Sequence, residues 1–198
     1  MKKLIPVLCC LIILYSCKKN RQPLPIQVPP QVPPQMTYIS LKDTAVRFNR
    51  AIILDIDNDG TKDIYFTTLL VGDPVLQQDK MQWLVTGAFD TNFPVDANES
   101  MPVLRLNDAI SVKNMPGYTW YNASAILLVQ KILSISLPPY WEGDWKNVSH
   151  RYVPFQLVKT AGIYNGWVDI SFSTDNEKLV LHKAAVCKEL NKDIQAGN

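Results

Sequence analysis

Short segments rich in β-forming residues recur along most of this chain of 198 residues. Gly, Pro, Asn and Asp turn signals separate them at intervals of about 8–12 residues, as in sandwiches and barrels. Parallel strands would need long helical crossovers, and the sequence lacks repeated helical patterns of that length. The pattern predicts an all-β fold, a single antiparallel β-sandwich or jelly-roll-like domain. The predicted strands are 37–41, 50–56, 64–71, 81–86, 103–106, 109–113, 152–158, 166–172 and 178–182.

Other segments are less clear from their pattern. Asn122-Ala123-Ser124 can cap one short helix over the apolar run 125–133, but that run also fits a buried strand. Residues 90–102 contain two prolines and are predicted to be a loop. Gly162 and Gly166 are expected to flank a turn, and residues 187–198 have no clear period.

The N-terminus has the features of an export signal. A positive start, Met1-Lys2-Lys3, precedes a short apolar run over residues 4–15. A membrane span needs about 20 apolar residues, so we predict a cleaved signal peptide over residues 1–16. Residues 14–17 (LYSC) also resemble a bacterial lipobox, which implies that Cys17 takes a diacylglyceryl group and becomes the first residue of the mature protein. The alternatives are a cleaved signal without lipid and a membrane-spanning segment.

A proline-rich stretch follows, QPLPIQVPPQVPPQ over residues 22–35. Proline fixes φ and lacks an N–H, so polyproline II is expected, at about 3.1 Å per residue. We therefore predict a lipidated cysteine and spacer over 17–35, and a globular domain over 36–198. By resemblance to known sorting rules, Lys18 in place of Asp favours the outer membrane. The basic residues 18–21 favour its periplasmic face over the cell surface.

The charge of the predicted domain differs from that of the whole chain. Five of the 20 basic residues precede position 36 and none of the 18 acidic ones does, so the domain has 15 basic and 18 acidic residues. No basic stripe appears, which disfavours nucleic acid as a partner. Cys187 is the only cysteine of the domain, so no disulfide forms within it. Its apolar context predicts a small buried residue rather than a nucleophile.

The segment LDIDNDGTKDIYF, residues 54–66, concentrates negative charge. Hard divalent cations relieve such repulsion, and Ca²⁺ takes six to eight oxygen ligands. Position 12 of the loop is Phe66, within a β-rich run, where an EF-hand has glutamate. We therefore predict a structural Ca²⁺ site in a strand–loop–strand, with a metal-free polar turn as the alternative. The predicted ligands are Asp55, Asp57, Asp59, the backbone carbonyl of Thr61, and Asp63 directly or through water.

The same loop resembles the FG-GAP or VCBS-type repeat, whose core reads D-x-D-x-D-G-x-x-D-[IL]. The match includes Gly60 and Ile64, but it occurs once, and a propeller needs several copies. The domain also resembles a group of uncharacterised secreted Bacteroidetes-type proteins with Y-x-G-F and Y-G-W-V strands. Residues 152–155 and 164–168 carry that resemblance, with Pro154 in place of Gly and Asn165 inserted. It implies a secreted β-rich fold and no particular activity.

No catalytic motif appears in the sequence. The two histidines, His150 and His182, lack metal-ligand spacing to another His or Cys. Phe155 and Trp167 are expected to be core anchors. We expect a non-enzymatic structural or interaction module, held on the membrane by its N-terminal lipid, with an unknown protein or glycan partner. The alternatives are a carbohydrate-binding module and a glycan hydrolase using Glu142 and Asp144. The candidate sugar-stacking residues are Tyr140, Trp141 and Trp145, for which core packing is the competing interpretation.

Overall fold

The structure is a computed structural model that describes residues 32–122 and 125–198. The predicted signal peptide, Cys17 and most of the proline-rich stretch lie outside the described residues. Within the described ranges no helix has the length and apolar character that a membrane crossing requires. Thirteen strands follow one another in this part of the chain. They are β1 (Met36–Val46), β2 (Ile52–Leu54), β3 (Ile64–Asp73), β4 (Gln78–Gly87), β5 (Thr91–Val95), β6 (Ala109–Ile110), β7 (Thr119–Tyr121), β8 (Ile126–Ser134), β9 (Tyr140–Glu142), β10 (Arg151–Lys159), β11 (Gly162–Ser173), β12 (Lys178–Cys187) and β13 (Ile194–Gln195).

The strands form two large antiparallel sheets and one small one. The first sheet has six strands in the order β1-β12-β11-β10-β5-β7, and the second has five in the order β2-β3-β4-β8-β9. β13 and β6 form the two-stranded sheet. The arrangement is sandwich-like, which confirms the prediction of an all-β antiparallel domain.

The main core lies between the two large sheets. Alternation along each strand builds it, because successive side chains point to opposite faces. Phe66 of β3, Leu128 of β8 and Phe155 of β10 are all fully buried there. Trp167 of β11 is fully buried in a second, smaller cluster that includes Ile110 of β6. Phe155 and Trp167 are therefore both core anchors, as predicted.

Of the two alternatives for the apolar run 125–133, the strand is right and the short helix is wrong, since residues 126–134 form strand β8. This strand pairs with β4 on one side and β9 on the other. Ile126 and Leu128 are buried while Leu127 between them is exposed, which is the period of a strand. Pairing on both edges, which the sequence does not encode locally, decides the choice.

The segment 90–102, predicted to be a loop, contains strand β5. The pairing around Pro94 shows how a strand can include this proline. β5 pairs with β10 only through Thr91 and Asn92, and the ladder to β10 ends before Pro94. Pro94 pairs with Trp120 of β7, on the other side of the strand. A proline without an N–H is tolerated where one ladder has already stopped.

Gly166 lies inside β11 and flanks no turn, contrary to prediction. The β10–β11 turn falls at residues 160–161. Gly166 pairs with Phe155, and a Cβ there would lie 2.1 Å from Phe155 Cζ. The glycine is needed to make room for that ring. Cys187, at the end of β12, is 1% exposed, which confirms its prediction as a buried residue.

Candidate metal centre

The acidic loop, residues 55–63, connects β2 to β3. The two strands pair up to Leu54 and Ile64, and the Asp63 N–H donates to the Leu54 carbonyl at 2.9 Å. Both ends of the loop are therefore fixed by the sheet. The loop is the strand–loop–strand that the sequence predicts.

Hydrogen bonds inside the acidic loop fold its carboxylates inward. The Ile56 N–H donates to Asp63 Oδ2 at 2.6 Å, and the Gly60 N–H donates to Asp55 Oδ2 at 3.1 Å. Gly60 has φ of 91°, in the region that favours glycine. The turn there closes the loop over its own side chains.

Three of the predicted ligands converge. Asp55, Asp57 and Asp63 each place a carboxylate oxygen within 4.8 Å of the others. Asp63 is fully buried. Among residues 32–122 and 125–198, Asp55 Oδ1 and Asp63 Oδ1 are buried and find no hydrogen-bond partner. Buried polar atoms usually have a partner, so these two oxygens call for an explanation.

Asp59 and Thr61 are placed differently from those three. The Thr61 N–H donates to Asp59 Oδ1 at 2.7 Å, and this bond lowers the pKa of Asp59, with Lys159 acting in the same direction. The role predicted for the Thr61 carbonyl rests on the loop pattern alone.

Two further residues join the cluster, and the sequence motif reveals neither. Lys159 ends β10, and its Nζ lies 3.0 Å from both Asp57 Oδ2 and Asp59 Oδ2. The same Nζ lies 2.9 Å from Oδ2 of Asp90, in the β4–β5 connection, and 4.0 Å from Asp63 Oδ1. β10 belongs to the six-stranded sheet and the acidic loop to the five-stranded one. The ion cluster therefore ties the two sheets together.

The cluster is short of positive charge. In the part of the chain that the structure describes, five carboxylates face two ammonium groups, Lys159 and Lys62, the latter 3.6 Å from Asp55. The formal charge is thus −3. Burial raises the pKa of Asp63 to about 6, and the negative charges of Asp57 and Asp90 add to this, while the Ile56 N–H and Lys159 oppose it. The lysine alone does not compensate the buried carboxylate.

Lys159 itself stays protonated. Burial lowers its pKa, but hydrogen bonds to Asp90, Asp59 and Asp57 outweigh this and raise the pKa above its ordinary value. No sequence signal marks this lysine, because it is about a hundred positions from the loop it contacts. Only the packing of β10 against the loop brings it there.

The predicted sugar-stacking platform is not formed. Trp145 is 1% exposed, so its ring cannot reach a ligand. Trp141 packs on Trp83 and Phe172, with centroids 5.5 Å apart in each case. Tyr140 alone of the three is exposed, at 39%. The competing interpretation, core packing, holds for both tryptophans, because Trp145 is a member of the main core and Trp141 of β9 packs against it.

Comparison of the chain with protein-family models, curated proteins and solved structures finds no match in any of the three. The case for a function therefore rests on the geometry of the chain itself.

Proposed function

We propose that the domain is a calcium-stabilised, non-catalytic structural or interaction module of the cell envelope, with the acidic loop as its Ca²⁺ site. One observation carries the proposal. Asp55 and Asp63 hold buried oxygens without hydrogen-bond partners inside a cluster of carboxylates. Hard oxygen ligands at one point are what Ca²⁺ binds. Asp57 and Asp59 would complete a set of four carboxylates.

Lys159 is the competitor that this proposal must accommodate. Its ammonium group contacts Asp57, Asp59 and Asp90, but a single positive charge leaves the cluster negative. Ca²⁺ brings two charges and can engage several oxygens at once. We expect the ion to bind the loop carboxylates and Lys159 to keep its contact with Asp90. The ion would then hold the β2–β3 loop in its folded form in place of the lysine.

The location is proposed from the sequence. A signal peptide over residues 1–16 and a lipid on Cys17 would hold the protein on the periplasmic face of the outer membrane. Calcium is available outside the cytoplasm, so a weak site can still fill. At about 100 times its Kd the ion adds about 2.7 kcal/mol to the free energy of unfolding.

To test this, the full chain is titrated with calcium in a calorimeter. Its melting temperature is then measured in calcium and in chelator. We expect stoichiometric binding and a higher melting temperature in calcium, with Mg²⁺ at equal ionic strength giving a smaller shift. Asp57→Asn should weaken binding. Asp175→Asn is the matched control, since Asp175 is an exposed turn residue outside the loop. Equal melting temperatures in calcium and chelator would contradict the proposal.

A further inference from the structure

Two strand irregularities meet on the outer face of the six-stranded sheet. In β12, His182 is the extra residue between the pairs Asp169–Lys183 and Ile170–Leu181. In β1 the register shifts between Ser40 and Thr44. Within that shift Asp43 has φ of 52°, in the left-handed region. The two bulges bring Asp43 and His182 face to face.

Both histidines of the chain lie at this point, although the sequence gives them no common motif. The rings of His150 and His182 have centroids 4.3 Å apart and planes inclined by 32°. His150 Nδ1 lies 2.9 Å from Asp169 Oδ2. The three side chains each place one ligand atom within 4.8 Å of the others. The pairing of β10, β11 and β12 brings these side chains together. Their spacing along the chain therefore does not predict the cluster.

The hydrogen bonds of His182 indicate which ring nitrogen carries the proton. Its Nδ1 lies 2.6 Å from Asp43 Oδ1, and its Nε2 lies 2.8 Å from Ser171 Oγ. A carboxylate only accepts, so Nδ1 carries the proton of the neutral ring and Nε2 presents a lone pair. A carboxylate that holds the far nitrogen of a histidine is the usual outer partner of a metal-binding imidazole.

The charge at Asp169 is incompletely compensated. Its side chain is buried, with 7% of the residue exposed. Among residues 32–122 and 125–198 the only basic group within 4.0 Å of it is His150. A bound cation would supply the missing positive charge.

We propose that His150, Asp169 and His182 bind a divalent transition metal of the zinc class, with Asp43 orienting His182. Two imidazole nitrogens and one carboxylate oxygen are a ligand set that Zn²⁺ accepts, with a fourth position left for solvent. The Ser171 hydroxyl turns away from His182 when the metal takes its place. A groove of about 780 Å³, lined in part by Ser149 and Ser171, lies beside the site.

A competing interpretation is a Ser–His–Asp hydrolytic triad, because Asp43, His182 and Ser171 follow that order of hydrogen bonds. The exposure of Asp43 disfavours it, since its side chain is 76% exposed and a triad aspartate works from a buried position. Ser171 also lies within a strand, paired with Val180, where backbone N–H groups serve the sheet.

The test uses the full chain purified without an affinity tag and stripped with chelator. Co²⁺ is added first, because its visible bands report nitrogen ligands, and Zn²⁺ then displaces it. We expect one Co²⁺ per chain, displaced by Zn²⁺ at micromolar concentration. His150→Asn and His182→Gln should weaken binding at least about 100-fold, and Asp43→Asn about 10- to 100-fold.

Two controls keep the result interpretable. Asp57→Asn should leave Co²⁺ binding intact, which separates this site from the acidic loop. Melting temperatures in chelator show whether each variant folds. If His182→Gln does not fold, His182→Asn is used in its place. The proposal is overturned if the parent chain binds no Co²⁺ or Zn²⁺ at 100 µM, or if folded histidine variants bind as tightly as the parent.

Discussion

Replacing Lys159 by methionine separates the two roles of the acidic cluster. The substitution keeps the apolar stem and removes the ammonium group. Without calcium, Asp57, Asp59 and Asp90 then lose their shared partner, whose Nζ lies 2.9–3.0 Å from each. With calcium, the ion can take over the charge of the loop. The same substitution is therefore expected to be costly in chelator and less costly in calcium, where only the contact with Asp90 is lost.

The magnitude follows from burial. Removing one partner of a buried ion pair costs about 3–5 kcal/mol. The side chains of Lys159 and Asp59 are 22% and 41% exposed, so water screens part of the interaction. We expect a loss of about 2–3 kcal/mol in chelator. Calcium affinity should rise at least about tenfold, equivalent to 1.4 kcal/mol, because the competing ammonium group is gone.

The assay is guanidinium unfolding followed by tryptophan fluorescence, in chelator and in saturating calcium. Lys80→Met is the matched control, since Lys80 forms a single ion pair with Asp73 at 3.1 Å. It should cost at most about 1 kcal/mol, independent of calcium. The reasoning is refuted if Lys159→Met lowers the free energy of unfolding equally in calcium and in chelator, or leaves calcium affinity unchanged.

Three further predictions concern the core. Gly166→Ala should lower the free energy of unfolding by about 3 kcal/mol in denaturant melts, because its Cβ would meet Phe155 Cζ at 2.1 Å; a loss below about 1 kcal/mol would contradict that contact. Trp145→Ala should cost about 3–5 kcal/mol by the same assay, whereas an exposed ring would cost little. Burial raises the pKa of Cys187, so the unfolded thiol ionises first and stability should fall above about pH 8.5. Cys187→Ala should abolish that fall in urea melts between about pH 7 and 10, and an unchanged fall would contradict it.

Local patterns account for most of the fold. β3, β10, β11 and β12 are dense in β-forming residues and were predictable from the sequence. β8 was ambiguous, because an apolar run fits a helix or a doubly paired strand equally well. β5 was hidden by Pro94, which is tolerated only because of where the neighbouring ladder stops. What the sequence did not convey is which edge of each strand is paired.

The candidate sites also divide into parts that the local sequence predicts and parts that depend on strand pairing. The acidic loop is local, so its carboxylates could be named from their spacing alone. Lys159 and Asp90 reach it from other elements, and no motif marks them. The cluster of His150 and His182 depends on bulges and strand order, since the residues come from different segments of the six-stranded sheet. A site whose residues lie on different strands cannot be predicted from the sequence until the strand pairing is known.

The pairing of β1 has a consequence for how the molecule is made. β1 lies at the edge of its sheet and pairs with β12, with Met36 opposite Cys187. During synthesis, β1 cannot form its hydrogen bonds with β12 until β12 has been made, near the end of the chain. Such sequence-distant closure slows folding. The six-stranded sheet can therefore close only when most of the chain is available, which would suit the export proposed above.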